Sequence, residues 1–133
     1  MNAIPESHRD LISDEKKAFA YLATVVSDGS PQVTPIWFNA DEEHILINSA
    51  RGRLKDRNMR ARPSVALCIQ DPNNPYRYLQ IRGKVVEITT QGAEEHINTL
   101  NFKYHGTRQY KKSRPEEVRV TYKIQPEKVD AHG

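Results

Sequence analysis

Arg51, Arg53 and Lys55 crowd into the opening of what reads as a helix, directly after the small polar run Asn48-Ser49-Ala50. A helix start carries partial positive charge, so three cations there oppose the dipole unless an anion occupies the site. Free N–H groups around Gly52, the Ser49 hydroxyl and the three cationic heads together form a donor set suited to one phosphate. A solvated basic helix face is the other reading of the same spacing. Asn58 lies four residues after Leu54, so one of the two packs inward while the other caps or meets a ligand, with Leu54 expected in the core. His8, His44, His96, His105 and His132 show no metal-ligand spacing, and no Ser/His/Asp or Cys/His set is present. No catalytic side chain and no metal site are therefore expected, and each histidine reads as a surface or helix residue.

The elements that must hold this segment are mostly strands. After a short opening helix over Pro5 to Ile12, Ala18 to Val26 is rich in β-branched and aromatic residues and stops at Ser27-Asp28-Gly29-Ser30, a hairpin turn. Gln32 to Asn39 returns, Asp41-Glu42-Glu43 turns again, and His44 to Ser49 makes a third strand, which predicts an antiparallel meander. Pro35 gives no ladder donor and belongs at an edge, a bulge or a ligand-facing gap. Arg51 to Ala61 has helix propensity up to Pro63; Ser64 to Gln70 reads as a buried strand and Tyr76 to Thr89 as a long bent one with a corner at Gly83. Ala93, Ile97, Leu100 and Tyr104 repeat at helical spacing, His105 to Glu117 reads as an ordered basic loop, and Val118 to Gln125 alternates as a final strand. Six strands, two substantial helices and no βαβ alternation predict an α+β barrel, mainly antiparallel, in a single domain over residues 1–133.

Charge is uneven although the total is mild. The chain carries 20 basic and 17 acidic residues, net +3, which does not mark a nucleic-acid protein. Between Arg51 and Arg62, however, five arginines and one lysine face a single acid, Asp56. The lone Cys68 lies in an apolar run and excludes a disulfide framework; the charged opening and the absence of a long apolar stretch imply a cytoplasmic protein without membrane insertion. A barrel of this length is too narrow to enclose a large cofactor, so a big ligand would lie on its wall or between subunits.

Four strings in series carry a resemblance: Asp28-Gly29-Ser30-Pro31-Gln32-Val33-Thr34-Pro35-Ile36-Trp37-Phe38, Ser49 to Asn58, Arg62-Pro63-Ser64-Val65, and Asp71-Pro72-Asn73-Asn74-Pro75-Tyr76-Arg77-Tyr78. Together they resemble the pyridoxamine-phosphate-oxidase-like split-barrel superfamily, and within it the short F420-dependent (deazaflavin) reductases. The resemblance implies a six-stranded split β-barrel with two flanking helices, a homodimer with the cofactor at the subunit interface, and hydride transfer from reduced deazaflavin to a small organic acceptor such as a quinone, a biliverdin-like tetrapyrrole or an unsaturated compound. It places Thr34, Pro35, Ile36 and Trp37 against the ring, Asn48, Ser49 and Ala50 beneath it, and Arg53, Lys55 and Asn58 around the phosphate, where the charge order of the helix start separately puts Arg51 and Gly52. Tyr78 and Gln80 are the candidates for a second wall given by a partner subunit. Tyr104, Tyr110 and His105 are candidate proton sources, and Lys111 and Lys112 candidate contacts for the anionic cofactor tail. Vitamin B6 oxidation is not expected from the resemblance, since pyridoxamine-phosphate oxidases complete their substrate site with a C-terminal extension that is not expected here. An FMN flavoprotein of the same fold, a cofactor carrier without turnover, and a small barrel binding single strands through Arg51 to Arg62 with Trp37, Tyr76 and Tyr78 are the alternatives.

Overall fold

In the computed structural model, which describes residues 1–133, the chain is an α+β split barrel built on one curled antiparallel sheet. A short 3-10 helix, Glu6–Ile12, precedes strands β1 (Ala20–Val25), β2 (Pro31–Ile36), β3 (Phe38–Ala40) and β4 (Ile45–Ala50). Helix α1 (Leu54–Ala61) leads to β5 (Ser64–Asp71) and β6 (Asn74–Thr89), then helix α2 (Ala93–His105) and β7 (Arg119–His132). No helix is long and apolar enough to cross a membrane.

Seven strands replace the six expected, because the return strand breaks at Trp37. The sheet order is β2-β1-β5-β6-β7-β4-β3, so β2 and β3 are opposite edges although one residue separates them in sequence. The expected meander is thereby corrected. β1 pairs with β2 and β3 with β4, but β4 turns to β7 instead of continuing beside β2. A chain that goes from one edge to the other across a single residue can do so only if the sheet curls until its edges meet, and this curl is the barrel. Pro35 falls on the edge strand β2, where its missing donor costs no ladder bond on the outer side.

Alternation fills the lumen. Along β5 inward Val65, Leu67 and Ile69 alternate with less buried neighbours, and they meet Leu22, Leu79, Ile81, Tyr122 and Ile124 in one apolar cluster. The opening helix adds Leu11 to that cluster, preceded by Ile4, and its His8 Nε2–H donates to the carbonyl of His132 at 2.8 Å, tying the two ends of the chain together. β7 departs from the alternating pattern: Arg119, Val120, Thr121 and Tyr122 are all buried, since one face of the strand looks into the barrel and the other is covered by α2. Gly83 sits where the β6–β7 register shifts, with the Gln125 carbonyl in the place a β-carbon would take, so the corner requires glycine.

Candidate functional site

The end of β4, the start of α1 and the start of β7 converge on a hollow of about 340 Å³. Seven of the expected residues line it: Pro35, Ile36, Trp37, Asn48, Ser49, Arg53 and Lys55. Ala50, Arg51, Gly52 and Arg53 also line an adjoining cleft of about 460 Å³ that continues under the loop residues Ser113 and Arg114. Arg53 therefore stands on the ridge between the two.

One wall is aromatic. Tyr104, from α2, is sandwiched between Phe19 and Trp37, with ring centroids 5.1 and 5.2 Å apart and interplanar angles of 11° and 19°. The Tyr104 hydroxyl donates to the Ala18 carbonyl at 2.7 Å, and burial pushes its pKa up to about 12. It is thus fixed as a support for Trp37 and is removed from the candidate proton sources. Of those candidates, Tyr110 is the one that lines the hollow; His105 stands edge-on to Trp37 on the side of α2.

The opposite wall is cationic. Arg119, on β7, is 4% exposed and held on three sides. Its Nε–H donates to Asn48 Oδ1 at 2.8 Å, its Nη1 donates to the Tyr110 hydroxyl at 3.2 Å, and its guanidinium lies 4.9 Å from the centre of the Tyr110 ring. Lys55 has a pKa below the ordinary lysine value, through burial first and then the like charges of Arg53 and Arg119. Ser49, 1% exposed, has a hydroxyl with no hydrogen-bond partner. A buried unpaired hydroxyl beside three cations, one of them destabilised by its neighbours, is a site whose energetics call for an anion.

The donors differ from those expected. Arg51 N–H donates to the Val118 carbonyl at 2.9 Å, Gly52 N–H to Asp56 Oδ2 at 2.9 Å, and Arg53 N–H to the Ala50 carbonyl at 3.3 Å. The N–H groups without an intrahelical acceptor move on to Leu54, Lys55 and Asp56, because Gly52 adopts φ +90° and α1 begins only at Leu54, with no side-chain cap. Asp56 is itself the anchor of the helix: it accepts from the Tyr122 hydroxyl at 2.6 Å and from Arg60 at 3.0 Å.

Four expected residues stand apart from the hollow. Asn58 is 1% exposed and donates from Nδ2 to Thr24 Oγ1 at 3.0 Å, while Leu54 is 37% exposed; the pair is reversed from expectation, because the side of α1 facing β1 meets a hydroxyl that needs a donor. Thr34 pairs with Leu22 within the β1–β2 ladder. Tyr78 stacks on His132 at 4.7 Å, and Gln80 is exposed between Cys68 and Asp130, both on β6 and remote from the hollow within one protomer. The basic loop is tied to α2 through Lys112–Glu94 at 2.8 Å, leaving Lys111 exposed.

Spacing missed His96, which sits behind Asn48. Its Nε2–H donates to Asn39 Oδ1 at 2.9 Å, so Nδ1 is the acceptor for Asn48 Nδ2 at 3.1 Å and Thr121 Oγ1 at 3.2 Å. Asn48 Nδ2 also donates to the Ala93 carbonyl at 2.9 Å, which orients its Oδ1 toward Arg119.

A family model described as pyridoxamine 5'-phosphate oxidase matches residues 4–133. Among solved structures the chain is similar to an F420 reductase, with 34% identity, 96% of this chain and 98% of that chain covered, and a TM-score of 0.82. It is also similar to a putative pyridoxamine 5'-phosphate oxidase from Listeria innocua (19% identity, 95% of each chain, TM-score 0.71). A conserved hypothetical protein, Rv2991 from Mycobacterium tuberculosis, is 19% identical over 97% of this chain and 84% of that one, with a TM-score of 0.75. The last two speak to the fold alone. No curated protein matches the chain.

Proposed function

We propose a function from one premise: this chain belongs to the pyridoxamine 5'-phosphate oxidase family. The function is that of an F420-dependent oxidoreductase acting on a small organic acceptor. The observation that carries it is the buried, partnerless hydroxyl of Ser49 among Arg53, Lys55 and Arg119, at the foot of a wall made by Pro35, Ile36 and Trp37. Such a site takes a molecule with a flat apolar end and an anionic end. The similarity to an F420 reductase at 34% identity supports deazaflavin over FMN as that molecule.

When bound, the reduced deazaflavin supplies the hydride. The protein's residues bind and orient. Trp37, braced by Tyr104, presents a flat apolar surface that excludes water from one side of the ring. Ser49, Lys55, Arg53 and the N–H groups at Leu54 to Asp56 hold the phosphate. Asn48, oriented by His96, keeps Arg119 in line with them. A hollow of about 340 Å³ is at the small end of ligand sites, so ring, ribityl chain and acceptor together need a further wall. The reading therefore includes a homodimer, with Tyr78 and Gln80 of β6 as the surface a partner contributes.

The test is calorimetric titration of the purified protein with F420 and, separately, FMN. Tighter binding of F420, weakened about tenfold or more in Lys55→Ala through loss of one charge-assisted contact, is the expected result. A preference for FMN would make the protein a flavoprotein of the same fold, and binding of neither would remove the function.

A further inference from the structure

Both F420 and FMN carry phosphate on a ribityl chain, so the cations alone do not choose between them. One acid does stand inside the cluster. The loop between α2 and β7 brings Glu117 back over the start of α1, with its side chain 4% exposed. Its Oε1 accepts from Arg53 Nη2 at 3.1 Å and from Ser113 Oγ at 2.8 Å. Its Oε2 meets Arg119 Nη1 at 3.2 Å as a charge contact off the hydrogen-bonding direction, and has no hydrogen-bond donor of its own. Three cations and one carboxylate leave the cluster a net charge of +2, with Lys55 making no ion pair and the Ser49 hydroxyl no hydrogen bond.

A phosphate entering between Lys55, Ser49 and Arg53 meets a guanidinium, that of Arg53, whose other partner is this carboxylate in the adjoining cleft. Each negative charge on the phosphate is attracted by the cations and repelled by Glu117, so the carboxylate subtracts about twice as much from the binding of a dianion as from that of a monoanion. The two cofactor classes differ in that charge: a terminal phosphomonoester, as in FMN, is close to a dianion at neutral pH, with a second pKa near 6, whereas the phosphodiester of F420 stays a monoanion. Resting on the phosphate reading above, we propose that Glu117 is a specificity-determining residue that lowers the positive potential at the phosphate site and so penalises a phosphomonoester more than a phosphodiester.

The experiment is titration of wild type and Glu117→Gln with F420, FMN and riboflavin, the last having no phosphate. Glutamine keeps an oxygen for Ser113 and Arg53 and removes the charge. Expected is a gain in FMN affinity at least about tenfold larger than any gain for F420, with riboflavin unchanged. Unchanged riboflavin binding doubles as the check that the variant is folded. From about pH 7.5 to 5.5 the monoester loses its second charge, and the extra gain of FMN over F420 produced by Glu117→Gln is expected to shrink.

Glu117 itself keeps its charge over that range. Burial works to raise its pKa, but the Ser113 hydrogen bond and the charges of Arg119 and Arg53 outweigh it and hold the carboxyl below its ordinary value. The other charged groups in its clefts are Arg51, Arg114 and Glu116 on one side and Glu94, Glu95 and Lys112 on the other, while Lys55 and Tyr110 line the hollow beyond Arg53 and Arg119. His96 of α2, behind Arg119, is depressed to about 4 and stays neutral throughout. If F420 and FMN bind but their ratio is unchanged by Glu117→Gln, the inference is overturned while the proposed function stands. If neither binds, both fall.

Discussion

His96 is the residue whose chemistry most clearly outruns its appearance in the sequence. Burial, and secondarily the charge on Arg119, lower its pKa to about 4, so the folded protein refuses a proton that the unfolded chain accepts near 6.5. Its contribution to stability is therefore complete above about pH 6.5 and is lost as pH falls toward 4. The size is about 3 kcal/mol, since the fall from 6.5 to about 4 is worth about 1.4 kcal/mol for each tenfold loss of proton affinity. Urea midpoints of wild type measured from about pH 7 to 4.5 are expected to fall more steeply than those of His96→Gln; parallel profiles would assign the acid sensitivity to the carboxylates instead. Ser49, Arg53 and Lys55 were legible because an adverse charge order at a helix start is a local property of consecutive residues. His96 and Arg119 were not. They reach Asn48 from elements about 50 and 70 positions later in the chain, and Arg119 occupies what alternation reads as an outward position, which α2 then covers.

Two glycines separate two ways in which an element can depend on its backbone. At Gly83 an added methyl would run into the Gln125 carbonyl at the register shift between β6 and β7, so Gly83→Ala is expected to cost about 1–3 kcal/mol through contact. At Gly52 nothing lies within 4 Å of the same methyl, and only the φ of +90° opposes it, so Gly52→Ala is expected to cost about 1–2 kcal/mol through strain alone. Chemical denaturation of both variants checks this; equal loss of F420 affinity in the two would contradict it, because only Gly52 leads into the phosphate-binding turn. Gly83 was readable as a corner, since a lone glycine within a long strand marks a bulge or a close backbone approach. Helix α1 starts three residues later than propensity implies, because propensity is blind to the left-handed turn at Gly52, which ends β4 and delays the helix.

For the whole molecule, most strand segments were legible, while the break at Trp37, the extension of β7 to His132 and the strand order were not. Turn residues and alternation mark strands locally, whereas the edge-to-edge passage at Trp37 follows from closure of the sheet, which no short window contains. The proposed dimer belongs to this scale as well. Val33 and Tyr76 are 65% and 83% exposed, large for apolar side chains on a strand surface, and a partner would cover such groups. Light scattering at micromolar concentration is expected to give twice the 15.3 kDa chain mass, and a monomer would leave the hollow without its second wall.

The seam at Trp37 has one more consequence. It holds the chain's only tryptophan, at the point where the two sheet edges meet and against the face proposed for the cofactor ring. Hairpins β1–β2 and β3–β4 are local and can form early, but the seam closes only after the distant pairings of β1 with β5 and β4 with β7 are made. Native emission of this indole therefore times the last step of refolding, with no label attached. In the finished protein the same indole becomes an optical sensor, quenched by energy transfer when a flavin or deazaflavin arrives beside it.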